Sequence, residues 1–281
     1  MFSARCWPLV FLEKSTTAKK LLLAHFDFHQ NDPSHDVEMV LGRITSMTLG
    51  DQDRVGAVIQ HQAVQDWLLN PVFGGLLVHG NGRRHDSVSP TSVACALLIH
   101  IFSKKLFLPT LYWFCGLHSV GPSGSPLGML QSLVCQLLCL PCCRCRIGDE
   151  DSLVTRDVGK LLMLFRRLLR SLSGGPPIVC ILDGLSFYER RHQIEETGRI
   201  VGELASLTLS SPPKLILLLA SPIRTSYISR KPEIAQNLTI TEVPYHVSGA
   251  KQGLDSHQIM TSTETRARRL SESFGSGRTS R

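Results

Sequence analysis

The sequence predicts an α/β protein in which helices cover both faces of a parallel sheet. Of its 281 residues, 43% are hydrophobic and 19% are charged, a composition that can bury a core and excludes disorder of the whole chain. Short apolar runs bounded by Gly, Pro and Ser alternate with segments of helical spacing. Because those runs are apolar throughout, they are typical of parallel strands buried on both faces.

At least four of these runs are predicted to be strands of the sheet. They lie near residues 75–79, 110–115, 178–182 and 214–219. Ligands of parallel α/β sheets bind at the carboxyl ends of the strands. We therefore expect a functional site to involve the residues that follow these strands, namely 79–89, Gly116, Asp183 and Ser221.

Helices are predicted before, between and after the strands. Apolar spacing and helix breakers indicate helices over residues 51–70, from Ser89 to about residue 104, and over 127–140, 158–172 and 189–209. Ser89 followed by Pro90 is typical of a helix N-cap with proline at the first helical position.

The chain is predicted to contain one main domain over residues 51–225. Residues 1–50 have no clear period, and the sequence leaves open whether they fold. Residues 226–245 are interpreted as a short extension and residues 246–281 as a disordered basic tail, because polar residues dominate there. From Lys251 onward, six basic and three acidic residues contribute +3 of the formal net charge of +7. The rest of the chain is too mildly basic to predict nucleic-acid binding.

The sequence predicts a cytoplasmic protein without a transmembrane segment. The apolar start of the chain is short, contains a proline and ends at Glu13, so it is not typical of a signal peptide. No run reaches the roughly 18–20 uninterrupted apolar residues that a membrane-spanning helix needs. The nine cysteines are odd in number and several lie within apolar runs, which favours free, buried thiols in a reducing compartment.

A cluster of thiols is the most conspicuous local feature, formed by Cys139, Cys142, Cys143 and Cys145. Such a cluster can bind a soft metal ion, and a mixture of Cys and Arg can be acylated near a membrane. A structural zinc site usually needs two separated ligand pairs, and the chain has no second pair. We predict no metal site and no special role for the cluster, with metal binding and acylation as the alternatives.

The strand near residues 75–79 leads through a glycine-containing loop into a helix, which is the arrangement of a phosphate-binding loop. A working loop has the pattern G-x-x-x-x-G-K-[ST], in which backbone amides and the lysine bind phosphate and the hydroxyl binds Mg²⁺. Counted from Gly80, this chain has His85 in place of the second glycine and Asp86 in place of the lysine, and only Ser87 is retained in type. The charge reversal changes the sign of an interaction of about 4 kcal/mol with a phosphate charge.

These features occur in an order and at spacings that resemble the NACHT-like module of STAND P-loop NTPases, most of all its degenerate versions in uncharacterised fungal proteins. The likeness covers roughly residues 55–225 and involves residues 67–68, 75–82, 130–138, 179–185 and 215–222. It implies a three-layer sheet of the P-loop NTPase type, with ATP or GTP and Mg²⁺ as the ligands of intact relatives. Intact relatives have signalling roles and carry a winged helix and a repeat sensor after the NTPase. At the corresponding place this chain has a mostly polar segment of about 50 residues.

The chain departs from this family at two further functional positions. Asp183 is retained, but the two later acids of the family's D-G-L-D-E pattern are Ser186 and Phe187 here, and Glu189 is displaced. The arginine of the family's T-S-R-P pattern is moved by two places, to Arg224. These changes predict the loss of efficient catalysis.

Six residues are the candidate nucleotide contacts, namely Gly80, Gly82, Arg83, Arg84, Ser87 and Asp183. The two arginines offer a cation in another position than the missing lysine, although a guanidinium fork is not equivalent to an ammonium group. For the glycines, the alternative is a tight turn between strand and helix; for Asp183, it is a turn acid without a ligand. No residue is assigned a catalytic role.

The sequence therefore predicts a catalytically inactive module that acts as a regulatory or protein-interaction scaffold, without a cofactor and with an unidentified protein partner. The alternative is a P-loop NTPase that binds ATP or GTP weakly, or hydrolyses it slowly with Mg²⁺, through a rearranged site.

Overall fold

One five-stranded sheet forms the centre of the protein. A computed structural model describes residues 17–26, 28, 32–69, 75–82, 86–120, 124–140, 143, 156–172, 176–209, 215–244, 261 and 265. The strands in these residues are β1 (Gly75–His79), β2 (Thr110–Phe114), β3 (Ile178–Asp183), β4 (Leu215–Ser221) and β5 (Leu238–Glu242). All neighbouring strands are parallel, in the order β2-β3-β4-β1-β5. The predicted parallel α/β fold and its four strands are confirmed.

Helices precede, connect and follow the strands. In the described residues they are α1 (Thr17–His25), α2 (Asp32–Gly42), α3 (Leu49–Gln60), α4 (Gln62–Leu69), α5 (Pro90–His100), α6 (Pro126–Cys139), α7 (Val158–Ser171), α8 (Ile194–Leu207) and α9 (Pro232–Asn237). The single helix predicted over residues 51–70 is wrong. The chain is extended at His61, with ψ of 131°, and the ring Nδ1 accepts a hydrogen bond from Ala63 N–H (3.3 Å), which starts a second helix.

The sheet is buried on both faces, and neighbouring residues of one strand enter different cores. Leu182 and Leu217 pack with α6–α9 on one face. Ile181 and Leu218 pack with α2–α5 on the other. Each fully buried side chain of this kind contributes about 1.5–3 kcal/mol of hydrophobic free energy. Helices on both faces of a parallel sheet make the three layers that the sequence predicts.

Part of the segment before residue 51 packs onto this domain. Val37 and Val40 of α2 are buried in the core that also contains α5. Asp36 of α2 lies 2.7 Å from His118 Nε2, so a polar contact ties the helix to the residues after β2. The sequence shows no period here because only a few side chains of α2 are buried.

β5 lies in the segment that the sequence indicates only as a short extension. Three of its five side chains are polar and three of its residues are exposed. It therefore lacks the continuous apolar run that identifies the other strands. The tail predicted over residues 246–281 lies outside the described residues, apart from Thr261 and Thr265. None of the helices in the described part of the chain is long and apolar enough to cross a bilayer.

Candidate functional site

The candidate site lies at the carboxyl ends of β1 and β4, which are neighbours in the sheet. The chain leaves β1 for α5 on one face, whereas it leaves β4 for α9 on the other face. Connections that diverge in this way open a crevice where parallel α/β sheets bind ligands. The residues around this crevice therefore decide what the domain can bind.

The loop after β1 is bonded to the segment after β4. Gly80 N–H donates to the Ser221 carbonyl (2.8 Å), and Gly82 N–H donates to the Pro222 carbonyl (2.5 Å). Between them, Asn81 has a left-handed φ of 47°, and its Nδ2 donates to the Val243 carbonyl (2.9 Å). Two amides of this loop are thus hydrogen-bonded within the protein.

The same loop reaches the end of β2. The Ser87 carbonyl lies so close to Gly116 that a Cβ added there would overlap it, whereas the Ser87 side chain is exposed. The described ends of the loop therefore lie at the end of β1 and at the end of β2. Arg83 and Arg84, the predicted cationic contacts, lie outside the described residues, as does His85.

Two amides at the N-terminus of α5 have acceptors in the residue that caps the helix. Ser89 and Ser92 form a capping box in which Ser92 N–H donates to Ser89 Oγ (3.1 Å) and Ser89 N–H donates to Ser92 Oγ (3.0 Å). Pro90 has no N–H, and Val93 N–H donates to the Ser89 carbonyl (3.1 Å). The Ser92 and Val93 amides of this helix start therefore already have acceptors within the protein.

Asp183 is buried at the end of β3, with 1% of its surface exposed. Neither carboxylate oxygen receives a hydrogen bond of good geometry from the described residues. Burial raises the pKa of Asp183 to about 7, and the nearby Ser92 hydroxyl and Gly184 N–H lower it only in part. Burial, with a contribution from Asp183, raises the thiol pKa values of Cys95 and Cys115. The surroundings of Asp183 thus favour the protonated acid.

Glu189 connects the segments that follow β3 and β4. Its carboxylate accepts hydrogen bonds from the backbone N–H groups of Ser226, Tyr227 and Ile228, each at 2.8 Å. The Ser226 hydroxyl donates to the same carboxylate (3.2 Å). Glu189 therefore caps a short 3₁₀ helix, Ile228–Arg230. Because its carboxylate oxygens already accept these hydrogen bonds, they are not free to activate a water molecule.

A polar cluster lies beside the loop after β1; the sequence reasoning includes His79 among residues 79–89 but does not predict its partners. Buried His79 accepts a hydrogen bond at Nε2 from Thr225 N–H (3.3 Å), and the same nitrogen lies 3.0 Å from Thr225 Oγ1. Burial lowers the pKa of His79, so the neutral ring is favoured. Arg224 Nε lies 3.1 Å from Glu242 Oε1, which directs the displaced arginine toward β5. A polar residue ending an apolar strand is the one sequence signal that points to His79.

The predicted site residues fall into separate contacts. Gly80 and Gly82 are joined to the end of β4, Ser87 lies against Gly116, and Asp183 faces α5. Of the thiol cluster, Cys139 and Cys143 are half-buried and free, whereas Cys142 and Cys145 lie outside the described residues. Within the described ranges, no three His, Cys, Asp or Glu side chains are grouped as metal ligands.

Comparisons with models of protein families, with curated proteins and with solved structures found no match to this chain.

Proposed function

We propose that the domain is a degenerate, NACHT-like P-loop NTPase module that acts as a regulatory or protein-interaction scaffold. One observation carries this proposal: the amides of Gly80 and Gly82 in the loop after β1, and of Ser92 in the first turn of α5, are hydrogen-bonded within the protein. Asp86 stands where a working loop has its lysine. A triphosphate would have to replace these internal bonds without the cation that normally binds it.

The acids of the site also support the absence of catalysis. Without a bound cation, burial raises the pKa of Asp183 to about 7, so Mg²⁺ would have to displace a proton from part of the protein at neutral pH. Glu189 is engaged by three backbone amides, so it is not available as a general base. No described residue is therefore assigned a catalytic role.

The scaffold is proposed to act in the cytoplasm, with a protein partner. Six cysteines in the described part of the chain are free, and four of them are buried, which suits a reducing compartment.

Nucleotide addition tests the scaffold function. The melting temperature of the full chain is expected to be the same without nucleotide and with millimolar Mg-ATP or Mg-GTP. A ligand present at about 100 times its Kd would stabilise the native state by about 2.7 kcal/mol, which thermal melting detects readily. An upward shift with either nucleotide would contradict the proposal.

Weak binding of ATP or GTP is the second candidate. The observation that favours it is Asp183, a buried acid at the ligand-binding edge of the sheet whose oxygens receive no hydrogen bond of good geometry from the described residues. This candidate requires a melting shift that Asp183→Ala abolishes and that Glu38→Ala, at an exposed position on α2, retains.

A further inference from the structure

The two edges of the sheet differ in how their outward backbone groups are satisfied. At the β2 edge, the side-chain amide of Gln136 accepts a hydrogen bond from Tyr112 N–H (3.0 Å) and donates one to the Tyr112 carbonyl (2.9 Å). Gln136 belongs to α6 and is itself buried. This side chain takes the place of a neighbouring strand, so the β2 edge is closed to further pairing at this point.

In the described part of the chain, two residues of the β5 edge have outward backbone groups without a hydrogen-bond partner. Val243 N–H donates to the His79 carbonyl (2.8 Å), so residues 239, 241 and 243 direct their backbone groups toward β1. The backbone groups of Ile240 and Glu242 consequently face away from the sheet. Among the described residues, no group forms a hydrogen bond with them.

The side chains of β5 favour pairing with another strand. Thr239, Ile240 and Thr241 are β-branched, and the sequence Leu-Thr-Ile-Thr-Glu contains no lysine, proline or glycine that would discourage it. Ile240 is 38% exposed and lies on the same side of β5 as buried Leu238. On this face of the sheet, the outermost hydrophobic side chain, Ile240, is therefore partly exposed to solvent.

We propose that the β5 edge binds an extended segment of a partner protein by strand addition, with an apolar residue of that segment packed on Ile240. An extended backbone presents donors and acceptors with the two-residue period that β5 offers. This inference rests on the proposed scaffold function and names its binding surface.

The length of the edge favours a peptide-like segment over a second copy of the chain. Leu238 N–H is already bonded to the Ile234 carbonyl of α9, and Pro244 has no N–H. Ile240 and Glu242 keep one donor and one acceptor each, and Leu238 and Pro244 can add only a carbonyl each, so the edge allows at most six hydrogen bonds. Such an edge buries much less than the roughly 1,200–2,000 Å² of a stable protein–protein interface.

Heptapeptides selected from a random phage-displayed library against the full chain are the probe. The selected peptides are expected to carry β-branched or aromatic residues at alternating positions. N-methylation of every second backbone amide should weaken binding by about tenfold or more, whereas N-methylation of the intervening amides should have little effect, because only alternate amides face β5. A selection without binders, or binding without this period of two, would overturn the proposal.

Ile240→Pro locates the site. It removes an outward N–H without removing a bond to β1, so the melting temperature should be retained while peptide binding weakens by about tenfold or more. Ile240→Val, which keeps the N–H and the β-branched side chain, is the matched control and should bind nearly as the unmodified chain does. Equal binding to Ile240→Pro would place the peptides elsewhere and overturn the proposal. A dimer in sedimentation that Ile240→Pro dissociates would overturn it too, since a second copy would then occupy the edge.

The peptide and nucleotide experiments test separate claims, so a negative result in one does not decide the other. The N-methyl scan needs no protein variant, so binding without a period of two overturns the inference even if Ile240→Pro does not fold. Loss of peptide binding leaves the nucleotide titration unchanged, and a nucleotide-induced melting shift would contradict the scaffold function without affecting the peptide result.

Discussion

Replacing Asp183 with asparagine is expected to stabilise the protein at pH 8, by up to about 4 kcal/mol, and not to stabilise it at pH 4. Burial raises the pKa of this acid from 3.8 to about 7. Each pKa unit corresponds to about 1.4 kcal/mol of difference between the native and unfolded states. The amide of asparagine has a similar shape and no charge to bury, so Asp183→Asn removes this cost.

The pH window follows from the sign of the pKa change. Below about pH 4, the acid is protonated in both states and ionisation costs nothing. Between about pH 4 and 7, the unfolded state loses the proton that the native state keeps, so stability falls as pH rises. Above the native pKa of about 7, the full cost is present.

Urea unfolding at pH 4, 6 and 8 measures this effect. Asp66→Asn, which removes one carboxylate at an exposed position on α4, controls for the change in net charge. A variant Asp183→Asn that is less stable than the unmodified chain at pH 8 would contradict the account, because the carboxylate would then have a cationic partner in the native state.

Replacing Gly116 with alanine is expected to destabilise the protein by roughly 2–3 kcal/mol, as overpacking of a close contact does. The new Cβ would overlap the Ser87 carbonyl, which belongs to the backbone, so no side-chain rotation can relieve the contact. Either the loop after β1 or the end of β2 has to move.

Gly42→Ala is the matched control for Gly116→Ala. Gly42 ends α2 with a helical φ of −60°, and no atom lies within 4 Å of an added Cβ. Alanine there should be neutral or stabilising by up to about 1 kcal/mol. Chemical denaturation of both variants gives the comparison, and equal stabilities would show that the loop does not lie against Gly116.

The fold is predictable from the sequence because its main signals are local. The runs that form β1, β3 and β4 are apolar throughout, and Ser89-Pro90 marks the start of α5 by capping chemistry alone. β5 has no such apolar run, because it is an edge strand and edge strands bury only some of their side chains. The break at His61 depends on one backbone conformation within an otherwise helical pattern, which residue spacing does not reveal.

The candidate site is less predictable because its contacts join distant parts of the chain. The sequence identifies Asp183 as the acid at the end of β3, but its isolation depends on how α5 and Gly184 surround it. The partners of Glu189 are 37–39 residues away, and Thr225 is 146 residues from His79. Local pattern contains no information about such pairs.

Amide hydrogen exchange at Gly80, Gly82 and Ser92 tests the central claim most directly, because it reports whether the amides of the loop after β1 and of the first turn of α5 are already hydrogen-bonded. Exchange can be followed by NMR on the full chain, without nucleotide and with saturating Mg-ATP. We expect all three amides to be protected without nucleotide and their rates to be unchanged by it. Fast exchange without nucleotide, followed by protection when Mg-ATP is added, would show a working phosphate loop and contradict the account.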